Sequence, residues 1–236
     1  MEKPERVLCM ARTATAKRIL LAFVAVVLIV AFYCMGWFLL SYNRSVLGDG
    51  LIRVACVGDS ITEGSGYPET LQALLGGDFK VGNFGVSGSS VLSTSGLPYM
   101  NQSEFSEAQD FKPSIVVVMM GTNDAKENVT ESTTTFQADY RQLVNAYMTL
   151  ESSPDVWLVK PPPIFENTLD LNSTHLEQHI LPCIENVASE LDLPTIDLNT
   201  AFTGYPQYFL DGVHPSSDGA MAIAAEIDQA ITFNNA

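Results

Sequence analysis

Short apolar segments rich in β-branched residues alternate along this chain with longer segments of helical periodicity, and this alternation restricts the fold more than any other feature. Such a pattern predicts a parallel sheet with helices packed on both of its faces. The five predicted strands span residues 54–57, 81–84, 115–120, 156–159 and 195–198. The predicted helices span residues 68–76, 131–150, 173–191 and 216–231. We therefore expect one α/β domain, over residues 51–236.

An uninterrupted apolar segment precedes this domain. Residues 19–40 carry no charged side chain, and about 20 apolar residues suffice for a helix to cross the hydrocarbon core of a bilayer. We expect a retained transmembrane helix here, followed by a tether over residues 41–50. A cleaved signal sequence is the alternative, but its apolar region is usually only about 7–15 residues long and ends at small residues.

The basic residues near this segment predict its orientation. Five of them precede residue 19, and Arg44 is the only one close behind residue 40. Cytoplasmic flanks of membrane helices carry an excess of Lys and Arg. We therefore expect a cytoplasmic tail over residues 1–18, a single membrane span, and a domain on the extracytoplasmic side.

The charge of the chain excludes one class of partner. The net charge is −15, and only Glu2 and Glu5 of the 27 acidic residues precede residue 45, whereas half of the 12 basic residues do. The domain beyond the predicted anchor is therefore strongly acidic and has no basic stripe. Such a surface repels polyanions, so nucleic acid is not an expected partner.

The four cysteines do not indicate a disulfide framework. Cys9 falls in the predicted tail and Cys34 in the predicted membrane span, so only Cys56 and Cys183 share a compartment. One bridge is the maximum. Because Cys56 lies within an apolar strand, two buried thiols are the preferred prediction and a bridge is the alternative.

Polar residues gather in four short segments, most of them directly after a predicted strand. The segments are Gly58-Asp59-Ser60, residues 85–90, Gly121-Thr122-Asn123-Asp124, and Asp211-Gly212-Val213-His214-Pro215. In an open α/β sheet, ligands bind at the carboxyl ends of the strands. Because parallel strands end at the same edge of the sheet, we expect these segments to meet there.

The residue types in these segments suit attack on an ester. Serine is a weak nucleophile until a base removes its proton, and neutral histidine is the usual base near neutral pH. Asp211 precedes His214 by three residues, so its carboxylate can orient the imidazole. The oxyanion that forms needs preorganised donors, and the Asn123 amide and the backbone N–H groups of Gly88 and Ser60 are candidates.

Taken together, the four segments resemble the sequence blocks of the SGNH hydrolases, also called the GDSL-type esterases, and the resemblance extends over most of the predicted domain. It implies that Ser60 is the nucleophile, His214 the base and Asp211 its partner. It also implies an oxyanion hole formed by Ser60, Gly88 and Asn123. The implied fold is a three-layer α/β/α sandwich on a five-stranded parallel, flavodoxin-like sheet. Ile61 replaces the leucine from which the family takes its name.

Other functional motifs are weaker. The chain has no Gly-x-Ser-x-Gly sequence, which argues against the α/β-hydrolase fold. His175 and His179 have i, i+4 spacing but not the order of a zinc-protease motif, so a solvated helix face is expected. Asp59 and Asp124 flank the predicted site and are expected to hold loops by local hydrogen bonds rather than to bind a cation. No metal and no organic cofactor is expected.

These patterns and the resemblance predict an extracytoplasmic, membrane-anchored serine esterase that works through an acyl-enzyme. The preferred substrate is an acetylated carbohydrate or glycoconjugate, because the segment around Gly88 is similar to that of carbohydrate deacetylases. Hydrolysis of a lysophospholipid or thioester is the second possibility, since the anchor would hold the site near a bilayer. An O-acyltransferase that uses the same acyl-serine, and a catalytically inactive binding module, are the remaining alternatives.

Overall fold

A computed structural model describes residues 50–126 and 133–233. The predicted cytoplasmic tail, the predicted membrane span over residues 19–40 and nearly all of the tether lie outside the described residues. Within the described part, no helix has both the length and the apolar character needed to cross a bilayer.

Five parallel strands form one sheet, which confirms the predicted strand number and direction. They are β1 (Ile52–Gly58), β2 (Phe79–Gly85), β3 (Ile115–Met119), β4 (Asp155–Lys160) and β5 (Thr195–Asp197). Their spatial order is β2-β1-β3-β4-β5. The chain moves from β1 to one side and then returns to place β3 on the other side. The carboxyl ends of β1 and β3 therefore flank the topological switch point, where open α/β sheets bind ligands.

Helices cover both faces of the sheet. Their bounds are α1 (Ser60–Gly64), α2 (Tyr67–Leu75), α3 (Ser103–Asp110), α4 (Thr133–Met148), α5 (Ser173–His175), α6 (Leu181–Leu191), α7 (Leu198–Phe202) and α8 (Ser217–Phe233). A π-helical turn, Leu176–Ile180, joins α5 to α6. One core packs α3, α4 and α6 against the sheet, and a second core packs α2, α7 and α8 against the opposite face. The result is a three-layer α/β/α sandwich.

The strand residues explain why both faces are covered. Along β1, Ala55 and Val57 enter one core while Val54 and Cys56 enter the other. All five residues of β3 are buried. Successive side chains of a strand point to opposite faces, so a strand that is apolar at every position must be covered on both sides.

Several boundaries differ from the predictions for local reasons. The predicted last strand included Leu198, but Asp197 caps a helix there by accepting the Thr200 N–H at 2.9 Å. The predicted helix over residues 173–191 is interrupted by the π-helical turn. Helix α3 was not predicted, because Ala108 is its only buried residue and leaves no apolar periodicity. The predicted start of α4 at residue 131 lies outside the described residues.

Cys56 and Cys183 are both buried free thiols, which was the preferred prediction. Cys56 lies in the core on one side of the sheet and Cys183 in the core on the other side. The sheet separates the two sulfur atoms, so a bridge between them is excluded by the fold.

Candidate active site

Ser60 is the first residue of α1, immediately beyond the carboxyl end of β1. The side chain of Asp59 caps this helix, because its Oδ1 accepts the N–H of Ile61 at 3.0 Å. The N–H of the first helical residue has no acceptor within its own helix. Both the Ser60 hydroxyl and the Ser60 N–H therefore stand at the ligand-binding edge of the sheet.

His214 and Asp211 form a compact unit on the loop that precedes α8. One carboxylate oxygen of Asp211 accepts the N–H of Val213 at 3.0 Å and the N–H of His214 at 2.8 Å. The other lies 2.7 Å from Nδ1 of His214. Two residues separate Asp211 from His214, and the turn between them lets one carboxylate bind both the backbone and the ring.

These contacts keep Asp211 ionised. Partial burial raises the pKa of Asp211, but hydrogen bonds from the backbone and ring of His214 and from the N–H of Val213 outweigh it and lower the pKa to about 2. A carboxylate has no proton to donate, so Nδ1 of His214 must carry the proton between them. In the neutral ring, Nε2 is then the hydrogen-bond acceptor.

Nε2 of His214 lies 2.9 Å from Oγ of Ser60. The contact crosses from the loop before α8 to the start of α1. Asp211, His214 and Ser60 thus form a continuous chain of hydrogen bonds in which the imidazole can receive the serine proton. The sequence placed these three residues at one edge of the sheet, and the structure brings them into direct contact.

Gly88 lies in a tight turn that follows β2. The N–H of Ser89 donates to the carbonyl of Val86 at 3.1 Å, and Gly88 has φ of +78°. Glycine adopts this left-handed conformation without steric cost. The N–H of Val86 donates to the carbonyl of Gly58 at 3.0 Å, so the turn is tied to the strand that carries Ser60.

Asn123 is fixed by the same turn. Its side-chain amide donates one N–H to the carbonyl of Ser89 at 2.9 Å. Since the amide group of asparagine has two N–H bonds, this contact also fixes the direction of the second one. Ser89 was not among the predicted site residues, because a backbone acceptor leaves no recognisable sequence signal.

Asp124, next to Asn123, ties the segment after β3 to the segment after β2. Its two carboxylate oxygens accept the N–H groups of Val91 and Leu92, each at 3.0 Å. Burial raises the pKa of Asp124 to about 7, although the two N–H groups lower it. Burial likewise raises the pKa of Asp59 to about 6. Asp59 makes the local hydrogen bond that was predicted, whereas the two hydrogen bonds of Asp124 reach residues 33 and 32 positions earlier in the chain and are not local.

The remaining candidates lie apart from this arrangement. The rings of His175 and His179 are neighbours, with centroids 4.8 Å apart, and His179 is exposed. No cluster of three or more His, Cys, Asp or Glu side chains suited to a metal ion is found in residues 50–126 and 133–233.

Comparisons with known proteins relate this chain to one family. The model of the GDSL-like Lipase/Acylhydrolase family matches residues 56–222. An acetylxylan esterase of Xylanibacter ruminicola is 32% identical over an alignment 206 residues long; the match covers 76% of this chain and 43% of the relative. The chain thus spans less than half the length of that curated relative.

Two solved structures have a similar fold. A lipase/acylhydrolase from Enterococcus faecalis has a TM-score of 0.63 and 25% identity, covering 77% of this chain and 95% of the other. A carbohydrate acetylesterase from Sinorhizobium meliloti has a TM-score of 0.62 and 16% identity, covering 76% of this chain and 97% of the other.

Proposed function

The chain belongs to the GDSL-like lipase/acylhydrolase family, and from that premise we propose that it is a serine ester hydrolase that removes acetyl groups from a carbohydrate. The observation that carries the proposal is the hydrogen-bond chain from Asp211 through His214 to Ser60, with distances of 2.7 Å and 2.9 Å. A base within hydrogen-bond reach of a nucleophile, and oriented in turn by a third group, is the arrangement that activates serine.

In the proposed first half-reaction, Oγ of Ser60 attacks the ester carbonyl carbon while Nε2 of His214 takes the hydroxyl proton. The carbonyl π electrons move to the oxygen, and the N–H groups of Ser60 and Gly88 and the Asn123 amide stabilise the resulting oxyanion. When the intermediate collapses, the bond to the alcohol breaks and His214 gives its proton to the leaving oxygen. Ser60 then carries the acyl group.

In the second half-reaction, water replaces the alcohol. His214 accepts a proton from the water as its oxygen attacks the acyl carbon, and the same donors stabilise the second oxyanion. Collapse of this intermediate breaks the bond to Oγ, and His214 returns the proton to Ser60. The acid is released. Asp211 remains a carboxylate throughout and stabilises the imidazolium that forms in each half-reaction.

The choice of an acetylated carbohydrate as the substrate has separate support. It rests on the 32% identity with an acetylxylan esterase and on the predicted similarity of the segment around Gly88 to that of carbohydrate deacetylases. The structurally similar acetylesterase is consistent with it but indicates only the fold.

Labelling and an ester panel test this proposal. The full-length protein, purified in detergent, is treated with a fluorophosphonate probe and assayed with esters from acetyl to long acyl and with acetylated xylan. We expect labelling, acetyl preference and release of acetate, and no labelling of Ser60→Ala. Labelling of Ser60→Ala equal to wild type would overturn the assignment of the nucleophile. Long-chain preference would favour a lipid substrate, and acetyl transfer to an added sugar would indicate a transferase.

We also propose that residues 19–40 anchor the enzyme and that its catalytic domain lies outside the cytoplasm. The support is the uncharged run itself and the excess of basic residues before it. Membranes from expressing cells are extracted with alkaline carbonate, and intact cells are treated with protease. We expect the protein to stay in the membrane fraction and to be digested from outside. Release by carbonate would exclude the anchor, and protection of the domain would reverse the orientation.

A further inference from the structure

Glu63 lies beside the turn that carries Gly88, and this contact was not predicted from the sequence. It is the fourth residue of α1, three residues after Ser60. The end of β2 packs against its backbone, since a Cβ at Gly85 would stand only 2.2 Å from the Glu63 nitrogen. Asn83 adds a hydrogen bond from its side-chain amide to the Glu63 carbonyl at 3.2 Å. The backbone of Glu63 is therefore held in a defined place relative to the turn.

The side chain of Glu63 is hydrogen-bonded to one residue of the turn, Ser87. Oε2 accepts the backbone N–H of Ser87 at 2.8 Å and also accepts the Ser87 hydroxyl. Ser87 is the second residue of the turn from Val86 to Ser89. A single carboxylate thus restrains both the backbone and the side chain of the residue that immediately precedes Gly88.

The conformation of this turn determines where the Gly88 N–H points. A positive φ at the third residue is the mark of a type II turn, and Gly88 has φ of +78°. The two common turn types differ chiefly in the peptide between the second and third residues, which is reversed in one relative to the other. Here that peptide joins Ser87 to Gly88. Reversal would turn the Gly88 N–H away and present the Ser87 carbonyl in its place.

We propose that Glu63 is a positioning residue, which holds Ser87 so that the Gly88 N–H stays directed at the oxyanion. The inference rests on the proposed function, because an oxyanion forms only if Ser60 attacks an ester. Glu63 acts through Ser87 and does not touch the reacting atoms.

The charge of Glu63 is not what helps the reaction. A carboxylate near a developing oxyanion opposes it electrostatically. The useful property is the capacity of one oxygen to accept two hydrogen bonds. The side-chain oxygen of glutamine has the same capacity without the charge, so Glu63→Gln and Glu63→Ala separate the two effects. Glu69→Ala, at an exposed acidic position on the next helix, is the matched control.

The experiment measures kcat, KM and the rate of fluorophosphonate labelling for the full-length variants. Loss of one oxyanion donor lowers kcat by about 10²–10³-fold. In Glu63→Ala the Gly88 N–H should point away from the oxyanion only part of the time, so kcat should fall by about 10- to 100-fold. We expect KM to change little, because the oxyanion is absent from the bound substrate. Phosphonylation of Ser60 should slow by a similar factor. Glu63→Gln should retain kcat within about threefold, and Glu69→Ala should match wild type.

Two results would overturn the inference while leaving the proposed function intact. One is a Glu63→Ala enzyme that labels and turns over as fast as wild type. The other is a Glu63→Gln enzyme as impaired as Glu63→Ala, which would assign the effect to charge. If the wild type neither labels nor hydrolyses any ester, the proposed function and this inference both fail. Melting temperatures of all variants serve as the folding control.

Discussion

Ser60 and His214 are 154 residues apart in the chain, yet Oγ of the serine lies 2.9 Å from Nε2 of the histidine. The first follows β1 near the centre of the sheet, and the second lies on the loop before α8, separated from the edge strand β5 by α7. The two meet because all five strands run in one direction and end at the same side. Because the imidazole must receive the Ser60 proton through this contact, we expect a change that disturbs the orientation of the imidazole to lower kcat.

Asp211→Asn tests the orienting carboxylate. The asparagine amide presents an N–H to Nδ1 of His214 in place of an acceptor oxygen. The tautomer with its proton on Nδ1 then loses its hydrogen-bond partner, so the tautomer in which Nε2 can accept the Ser60 proton is no longer favoured. We expect kcat for an acetyl ester to fall by about 10²–10⁴-fold with little change in KM. Asp218→Asn, at an exposed acidic residue in the first turn of α8, is the control and should behave as wild type. An unaltered kcat in Asp211→Asn would remove Asp211 from this role.

The pH dependence of hydrolysis follows from the same contacts. The pKa of Asp211 is lowered to about 2, so this carboxylate stays ionised throughout the working range. Ionisation of Asp211 therefore contributes nothing to the acid side of the profile, where the imidazolium form of His214 cannot accept the Ser60 proton. We expect kcat/KM to rise with pH as His214 loses its proton. The measurement is kcat/KM across acid and neutral pH, and a flat profile would argue against His214 as the base.

The free energy of unfolding of the domain should also depend on pH, and Asp59 and Asp124 determine whether it rises or falls. Burial raises the pKa of these carboxyls to about 6 and about 7. Between the pKa of an aspartate in the unfolded chain and the raised pKa values of Asp59 and Asp124 in the folded protein, the folded protein binds more protons than the unfolded chain. The free energy of unfolding therefore decreases as pH rises through this window, and the loss is complete above about pH 7.

Asp124→Asn isolates part of this effect. The N–H groups of Val91 and Leu92 bind different carboxylate oxygens, and asparagine places an NH₂ group where one of these oxygens stands, so one N–H group faces a donor instead of its acceptor. We expect a loss of about 1–3 kcal/mol in the free energy of unfolding at acid pH, where the aspartate is protonated and uncharged. The dependence of stability on pH should be shallower than in wild type. Urea unfolding of the full-length protein at a series of pH values measures both. An equally steep dependence in the variant would show that Asp124 does not titrate in this range.

Leu97 is a candidate determinant of acyl-chain length. Its Cδ2 lies 3.9 Å from the point where a Cβ would stand on Gly88, so its side chain borders the proposed oxyanion hole. Leu97→Ala should enlarge the space beside a bound acyl group. We expect the ratio of kcat/KM for butyryl to acetyl esters to rise by about 10-fold, the usual effect of a few methylene contacts. Leu74→Ala, at an exposed leucine on α2, is the control. An unchanged ratio would place the acyl group elsewhere.

Much of the architecture was predictable from local patterns. The runs that form β1 and β3 are apolar at nearly every position, so burial on both faces and a parallel sheet followed directly. The polar residues after β1, β2 and β3 were predicted to meet because parallel strands end together. The boundaries were less predictable. Asp197 begins a helix by capping it, and α3 has a single buried residue, so neither feature alters the apolar periodicity.

The sequence by itself determined the fold class and the residue types at the edge of the sheet, since both depend on which side chains must leave water and where strands end. Only the tertiary structure decided which backbone atoms the polar side chains bind. Asn123 donates to the backbone carbonyl of Ser89, and Glu63 accepts the backbone N–H of Ser87. Every residue has a carbonyl, and every residue except proline has an N–H. Such contacts depend on the path of the chain through space, so they cannot be predicted from residue types.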